Sequence, residues 1–298
     1  MKIVFFGNTK YSRIIAEVLH KKFKLALVVT TPDKPKGRNR KLTPSPTKEF
    51  AQNYNIPLVE TQKITNIQID EIAKFSADFF AVADYGLILP PGLLQLPKFD
   101  SLNVHHSLLP KYRGPSPAPT TILNGDKVTG VTIISMTYDV DAGDILSQKE
   151  YKISQDETTD SLLVKLNSLG AELITNVTEN YQDFKSKKIK QDENKATYTH
   201  RFTKDNGQID PNDPPDPVTL DRMIRAFYPW PGTWCQLTVH GRQFTVKFLP
   251  NPNYPTTELS NYPNKYLIQP EGKNAMTFSE FLNGYPQCKP YLESLHLL

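Results

Sequence analysis

Residues 103–114, NVHHSLLPKYRG, combine side chains that could catalyse acyl transfer. Asn103 and His105 are two positions apart, so on a β-strand they would point to the same face. An amide donor can hold a carbonyl oxygen as it becomes an oxyanion, and an imidazole, with a reference pKa of about 6.5, can pass protons near neutral pH. The pair predicts an acyl-transfer site at a strand end, where residues 107–110 turn the chain into a loop.

A second polar segment, YDVDAGDI at residues 138–145, supplies carboxylates that could orient the imidazole. A carboxylate facing His105 would hold the ring, as the third member of a catalytic triad does. The glycine at position 143 permits a tight turn. Spacing alone does not choose among Asp139, Asp141 and Asp144. The plainer alternative is a strand-end histidine that makes only structural hydrogen bonds.

The sequence gives little support for a metal site, a nucleotide site or a serine-hydrolase site. DxDxGD resembles a fragment of a calcium-binding loop, but the distal glutamate and the flanking helices of that motif are missing. The six histidines form no HxxxH or HExxH group, and Cys235 and Cys288 lack CxxC spacing, so we expect no metal and two unpaired thiols. The absence of GxGxxG, GxxxxGK[ST] and GxSxG argues against dinucleotide binding, nucleotide hydrolysis and serine-hydrolase chemistry.

The elements around these segments predict a mostly parallel sheet with helices on its faces, because short apolar runs alternate with stretches of helical periodicity. The helix predicted at residues 11–22, for example, places Ile14, Ile15, Val18 and Leu19 on one face. Further on, residues 130–138 and 145–153 read as consecutive strands and predict an antiparallel pair at the sheet edge. The other predicted strands are 2–7, 25–30, 57–60, 77–84 and 101–107, and the other predicted helices are 48–54, 69–75, 91–96 and 158–184.

Composition changes after the last of these helices and predicts a second domain. Residues 185–206 are charged, polar and without an apolar face, which is typical of a linker. Eleven of the 25 prolines then fall between Pro211 and Pro270. Because proline removes backbone donors, we expect short strands and turns after one helix at 219–227, with strands at 233–239, 242–248 and 265–270 closing a small β-barrel. The predicted domains are 1–184 and 207–298.

Overall charge and hydropathy describe an ordinary surface. The net charge is +4 and charged residues make up 22% of the chain, so a polyanionic partner is compatible but not demanded. No run of about 18 apolar residues is present, and the opening residues MKIVFFGNTKYS turn polar without the apolar stretch of a signal peptide. We expect a cytoplasmic protein without membrane contact.

The pattern NVHxSLLPxYRG, followed by GVTIxxM and a DxGDI turn, resembles the formyltransferase superfamily, which includes glycinamide ribonucleotide transformylase and sugar N-formyltransferases. The resemblance extends over nearly the whole chain and implies a Rossmann-like α/β fold followed by a small OB-like barrel. It also implies that Asn103, His105 and Asp141 are the catalytic residues, which selects one of the three carboxylates. The residues implied to bind the folate co-substrate are Ser107, Leu108, Leu109 and Pro110, with Tyr85, Gly86 and Leu87 of the ADYGLILP loop, and Asp144.

Three further segments resemble the methionyl-tRNA formyltransferase family in particular: residues 31–51, RAFYPWPGTW at 225–234, and residues 269–285. The first resembles a basic loop in which Arg38 corresponds to an arginine that contacts the tRNA acceptor stem. Its positive charges suit phosphate contacts, although such a run is more often plain solvated surface. The implied nucleic-acid contacts are Lys36, Arg38, Arg40 and Lys41.

The resemblance implies transfer of a formyl group from 10-formyltetrahydrofolate to the amine of initiator methionyl-tRNA by a monomeric, metal-free enzyme. The alternatives are a sugar N-formyltransferase and a catalytically inactive RNA-binding homologue. The sequence departs from the family at GNTKYS (residues 7–12) where GTPxFA is usual, at His106 where glycine or alanine is usual, and at PSPAPTTI (residues 115–122) in place of an AAPIQ-type sequence.

Overall fold

The structure, a computed structural model, describes residues 1–36, 40–239, 241–253 and 265–297, and leaves out the side chain of Lys36. The chain divides into two compact units. The larger unit comprises residues 1–117, 128–152 and 163–199, and the smaller unit comprises residues 118–127, 153–162 and 200–298. The predicted domain bounds remain a prediction, and residues 187–199 of the predicted linker are hydrogen-bonded within the larger unit.

A seven-stranded sheet with the order β5-β2-β1-β6-β7-β8-β9 forms the centre of the larger unit. The first five strands of this order run parallel, whereas β8 is antiparallel to β7 and β9 is antiparallel to β8. This confirms the predicted parallel sheet with an antiparallel pair at its edge. The strands are β1 (Ile3–Phe6), β2 (Leu27–Thr30), β5 (Leu58–Glu60), β6 (Phe79–Val82), β7 (Asp100–His105), β8 (Val128–Ser135) and β9 (Ile145–Lys152).

Helices cover both faces of the sheet, because alternate strand residues point to opposite sides. Val4 and Phe6 of β1 pack in one buried cluster with Ile72 and Leu93. On the other face, Gly170 lies so close to β7 and β8 that a Cβ there would be 2.6 Å from Val104. The helices up to residue 186 are α1 (Lys10–Phe23), α2 (Pro46–Asn53), α3 (Asn66–Ala73), α4 (Pro91–Leu94), α5 (Pro117–Asn124), α6 (Thr159–Glu179) and α7 (Tyr181–Ser186).

Three local features differ from the sequence prediction. The single helix predicted at residues 158–184 is wrong, because the chain breaks at Asn180 between α6 and α7. Helix α5 was not predicted. The basic loop contains an antiparallel hairpin of β3 (Lys34–Lys36) and β4 (Lys41–Thr43), which flank residues 37–39 outside the described part of the chain.

The smaller unit is built on an antiparallel three-stranded sheet with the order β10-β11-β12. Its strands lie where they were predicted, at β10 (Thr233–Val239), β11 (Arg242–Pro250) and β12 (Tyr266–Pro270). In the described residues after position 199, its helices are α8 (Pro217–Ala226), α9 (Phe278–Gly284) and α10 (Lys289–Ser294), and the last two were not predicted. Nearly all of α5 also belongs to this unit. Closure into a barrel stays a prediction. Over both units, the described helices include none that is long and apolar enough to cross a membrane.

Candidate active site

Three side chains meet at the carboxyl end of β7. The Asn103 Nδ2 donates to Oδ1 of Asp141 at 3.2 Å, and the other carboxylate oxygen, Oδ2, lies 3.4 Å from Nδ1 of His105. The His105 side chain is only 5% exposed and that of Asp141 12%. Asn103 and His105 leave the same face of β7, and Asp141 comes from the turn between β8 and β9. Of the three carboxylates that spacing left open, Asp141 is the one that contacts both residues.

Backbone geometry fixes the Asp141 carboxylate. The N–H of Gly114 donates to its Oδ2 at 2.7 Å. Asp141 itself has a φ of 53°, a left-handed conformation that is uncommon for residues with a side chain. Gly143 is packed so tightly that a Cβ there would lie 1.8 Å from the carbonyl oxygen of Ser135. The turn can therefore be built only with glycine at position 143.

Both ring nitrogens of His105 face oxygen atoms. Nε2 lies 2.9 Å from the carbonyl oxygen of Tyr112, opposite the Nδ1 that faces Asp141. Tyr112 has a φ of 62°, so this carbonyl is presented by a second left-handed residue. The ring is thus oriented from two sides, as a general acid or base must be if it is to meet a substrate in one geometry.

Two further residues support the Asp141 turn, and the sequence did not indicate either of them. Gln191 donates from Nε2 to the carbonyl oxygens of Asp141, at 2.8 Å, and Gly143, at 2.7 Å. The buried Arg113 donates in turn to Oε1 of Gln191. Gln191 lies in a stretch that the sequence describes only as a linker, and Arg113 lies near the end of the NVHxSLLPxYRG pattern, where the sequence assigns it no role. A buried glutamine among exposed lysines has no local signature, so no sequence pattern could have indicated this role.

The loop of residues 107–110, predicted to line the folate site, is anchored to the sheet edge. The Thr132 hydroxyl donates to the Ser107 carbonyl at 2.6 Å, and Gln148 Nε2 donates to the Leu109 carbonyl at 2.7 Å. The Ser107 hydroxyl is used within the loop, where it donates to the Lys111 carbonyl at 2.6 Å. Leu108 packs against Gly130, and Leu109 clusters with Ile134 and Ile145, so the backbone shape of this loop, together with Pro110, is fixed by its core contacts.

The other residues predicted to bind folate, which are Tyr85, Gly86, Leu87 and Asp144, lie in different surroundings. The Tyr85 side chain is buried in the core against Phe6, its hydroxyl makes no hydrogen bond, and burial raises its pKa. Gly86, at a φ of 81°, and the half-buried Leu87 follow in the loop after β6. Asp144 forms an ion pair of 2.6 Å with Lys188, while Asp139 is exposed.

The first departure from the family pattern, at residues 7–12, forms a compact hydrogen-bond junction between strand ends. Asn8 Oδ1 accepts from the Thr30 hydroxyl and from the Thr31 backbone, each at 2.8 Å. Its Nδ2 donates to the Tyr85 carbonyl. Asn8 therefore joins the carboxyl ends of β1, β2 and β6.

The second departure, His106, is buried on the face of β7 opposite His105. Its Nδ1 lies 3.6 Å from Oδ1 of Asp84, whose Oδ2 accepts from the hydroxyl of Thr9 at 3.2 Å. Nε2 of His106 makes no hydrogen bond, and neither does Oδ1 of Asn167. Burial is the main cause that lowers the pKa of His106, and the neighbouring His105 adds to it, while Asp84 opposes it.

The predicted nucleic-acid residues are only partly described. Arg40 and Lys41 are exposed at the start of β4. Arg38 lies outside the described residues, and Lys36 is described only as backbone at the end of β3. In the part of the chain that the structure covers, no group of three or more His, Cys, Asp and Glu side chains could hold a metal ion.

Residues 1–178 match the family model described as formyl transferase, a span that contains Asn103, His105 and Asp141. This match covers more than half of the chain and defines it as a formyl transferase. Methionyl-tRNA formyltransferases are its relatives over almost the full length: that of Dictyoglomus thermophilum is 35% identical over 96% of this chain and 97% of the relative, and that of Listeria welshimeri is 34% identical over 95% of both. The chain belongs to the methionyl-tRNA formyltransferase family.

Solved structures share the fold at low sequence identity. HypX from Aquifex aeolicus in complex with tetrahydrofolic acid superposes with a TM-score of 0.62 at 14% identity, over 98% of this chain and 48% of HypX. This chain therefore spans about half the length of HypX. A sugar N-formyltransferase from Shewanella has a TM-score of 0.60 at 16% identity, over 82% of this chain and 95% of that protein. These likenesses establish the fold alone.

Proposed function

We propose that the protein transfers the formyl group of 10-formyltetrahydrofolate to the α-amino group of initiator methionyl-tRNA. The observation that carries the proposal is the convergence of Asn103, His105 and Asp141 at the end of β7. Support also comes from relatives that bear the name methionyl-tRNA formyltransferase and align over nearly the whole chain. The sugar N-formyltransferases share only the fold, so they do not favour an amino-sugar acceptor.

The proposed reaction is a direct transfer. The neutral amine attacks the formyl carbon, a carbon–nitrogen bond forms, the bond from that carbon to N10 of the folate breaks, and the proton lost by the amine ends on N10. Asn103 uses one amide hydrogen on Asp141, which leaves the second free to donate to the formyl oxygen as it becomes negative. Such donors stabilise charge that develops only in the transition state.

His105 and Asp141 act together in this proposal. Nε2 of His105 faces the Tyr112 carbonyl, which can only accept, so the proposed step uses the protonated ring. The 3.4 Å between Nδ1 and Asp141 Oδ2 is long for a hydrogen bond, so the Nδ1–H can donate to the formyl oxygen as it becomes negative. Asp141 keeps the ring in place and holds an ordered water that relays the proton between the amine and N10. No covalent intermediate is required, since the described site contains no cysteine and Ser107 donates within its own loop.

The folate would bind along the loop of residues 107–110 and the loop after β6. Because the side chains of Ser107, Leu109 and Tyr85 are buried, these residues would contact the ligand mainly through their backbone groups. Gly86 and Leu87 are more open. Asp144 lies at the rim, where its pairing with Lys188 holds the turn that carries Asp141.

The acceptor would be bound through phosphate contacts. The hairpin β3–β4 presents Arg40 and Lys41, and the family pattern adds Lys36 and Arg38. The smaller unit, with its antiparallel sheet, would bind tRNA as well, and a closed OB-like barrel is part of this proposal. We further propose a monomer that works in the cytoplasm.

The test is transfer from 10-formyltetrahydrofolate to charged initiator tRNA, with uncharged initiator tRNA, charged elongator tRNA and a nucleotide-linked amino sugar as parallel acceptors. We expect formylation of charged initiator tRNA alone. Preference for the amino sugar would refute the acceptor assignment, and tRNA binding without any transfer would indicate an inactive homologue.

A further inference from the structure

Residues 188–199, which the sequence predicts as part of an interdomain linker, lie against the turn that carries Asp141. Ile189 and Ile145 exchange two backbone hydrogen bonds of 2.8 and 2.9 Å, and Lys188 pairs with Asp144 at 2.6 Å. The segment therefore runs beside the start of β9, where the turn that carries Asp141 enters that strand. Two independent kinds of contact hold it there.

Gln191 is the residue of this segment that reaches the turn. Its side chain is buried, with 5% exposed, and its amide donates both hydrogens, one to the Asp141 carbonyl and one to the Gly143 carbonyl. The first of these carbonyls belongs to the left-handed residue Asp141 itself, and the second lies two residues further along the turn. A left-handed residue persists only when its surroundings determine it, and the Gln191 amide is one of the contacts that hold this turn, beside the Gly114 N–H and the close packing of Gly143.

Arg113 fixes Gln191 from the other side. It is 2% exposed, and its five N–H donors are all used: two on Oε1 of Gln191, two on the carboxylate of Glu193 at 2.8 Å each, and one on the Tyr198 hydroxyl. This is the full donor capacity of a guanidinium group. The Gln191 side chain is consequently held in one orientation, with its NH₂ group toward the turn.

The segment of residues 188–199 also supports the stretch of chain that faces His105. The Arg113 backbone donates to the Thr197 carbonyl at 2.8 Å, and the Thr199 N–H donates to the Arg113 carbonyl at 2.7 Å. Residues 110–114 are thus paired with residues 197–199, and this stretch carries the Tyr112 carbonyl that faces His105 and the Gly114 N–H that holds Asp141. One segment supports both partners of the His105–Asp141 contact.

We propose that Gln191 is a positioning residue for formyl transfer: its amide sets the backbone of the Asp141 turn, so residues 188–199 are part of the active site. The kinetic part of this inference rests on the proposed function. Loss of the amide donors should turn the Asp141 carboxylate away from His105 while leaving the substrate-binding loops intact. Misplacement by about 1 Å can cost about a hundredfold in rate.

The test compares Gln191→Glu with Gln182→Ala, which removes an exposed glutamine on the neighbouring α7. Glutamate keeps the length of the side chain and can still accept from Arg113, but it cannot donate to the two carbonyls. We expect Gln191→Glu to lower kcat by about 10- to 100-fold, with KM for both substrates within about threefold. The melting temperature should fall as well, because two carbonyls beside a buried side chain lose their donors. Gln182→Ala should match the wild type.

Hydrogen exchange of the Gly114 amide, followed by NMR, gives a readout that does not depend on activity. We expect exchange at least about tenfold faster in Gln191→Glu than in the wild type or Gln182→Ala, because the acceptor on Asp141 has moved. Wild-type kcat and wild-type protection of Gly114 in Gln191→Glu would overturn the inference. If the wild type lacks transferase activity but the exchange difference is found, the proposed function fails and the positioning role stands.

Discussion

The backbone N–H of Gly114 donates to Oδ2 of Asp141 over 2.7 Å, a shorter contact than Asp141 makes with either Asn103 or His105. The carboxylate is therefore anchored by the backbone and does not depend on its two side-chain neighbours for its position. This makes the contributions of Asn103 and His105 separable by substitution.

We expect Asn103→Ala to lower kcat for formyl transfer by about 100- to 1,000-fold, the usual cost of losing one oxyanion donor. Because Gly114 still holds Asp141, folding and folate binding should be nearly unchanged. Single-turnover kinetics together with circular dichroism provide the measurement. Near-normal turnover in a correctly folded variant would remove Asn103 from the mechanism.

The hairpin β3–β4 should carry part of the salt dependence of tRNA binding. Each phosphate contact contributes about 0.9 to the slope of log K against log salt concentration, so Arg40→Ala with Lys41→Ala should reduce that slope by up to about 1.8. Folate affinity should not change. The matched control is Lys21→Ala on α1, an exposed lysine outside the hairpin. An equal effect in the control, or no effect in the double variant, would contradict a role of the hairpin in tRNA binding.

His106 should make the stability of the protein depend on pH. Burial lowers the pKa of His106 and the neighbouring His105 acts in the same direction, while Asp84, Asn167 on α6 and Asp141 oppose the shift. The unfolded chain binds this proton near pH 6.5, whereas the folded protein binds it only at lower pH. The contribution of His106 to stability is therefore complete above about pH 6.5 and is lost as the pH falls from there toward the folded pKa.

Urea unfolding at pH 7.5 and 5.5 measures this effect. The free energy of unfolding should fall less between the two values in His106→Ala than in the wild type, with a difference of about 1.4 kcal/mol for each unit of pKa shift that the interval spans. An identical fall in the two proteins would show that His106 is not the group responsible.

Sequence reasoning located the elements that have local signatures. Strand β10 begins and ends at the predicted residues, and the antiparallel pair of β8 and β9 was foreseen from two apolar runs joined by a short polar turn. Helix α9 was missed, although Thr277 and Glu280 form a capping box, with the Thr277 hydroxyl accepting from the Glu280 N–H at 3.2 Å. The spacing of those two residues was visible in the sequence.

The supporting layer of the site could not be predicted in this way. Arg113 and Gln191 are 78 positions apart, and their pairing depends on how the chain returns past the sheet edge after α7. Both residues are polar in polar surroundings, where periodicity carries no information about burial. The proposed catalytic pair could be predicted because the Asn103–His105 alternation follows from strand geometry alone. The choice of Asp141 needed either a family resemblance or coordinates.

Gly143→Ala should damage both the stability and the activity of the protein. An added Cβ would lie 1.8 Å from the Ser135 carbonyl oxygen and 2.9 Å from its carbonyl carbon, and these are backbone atoms of β8 that cannot move aside cheaply. The Ser135 N–H also donates to the Asp144 carbonyl at 3.0 Å, which ties the two sides of the turn together. We expect a loss of about 3 kcal/mol in the free energy of unfolding, the upper range for overpacking, and a fall in kcat because the Asp141 turn must shift.

Gly284→Ala is the matched control for this substitution. A Cβ at Gly284, the last residue of α9, would meet no heavy atom within 4 Å. We expect a change of less than about 1 kcal/mol in stability and wild-type kcat, since alanine is a better helix former than glycine. Urea unfolding and steady-state kinetics measure the free energy of unfolding and kcat of both variants. Equal stability losses would mean that the contact with Ser135 is not what restricts position 143, and a destabilised Gly143→Ala with unchanged kcat would separate the turn from catalysis.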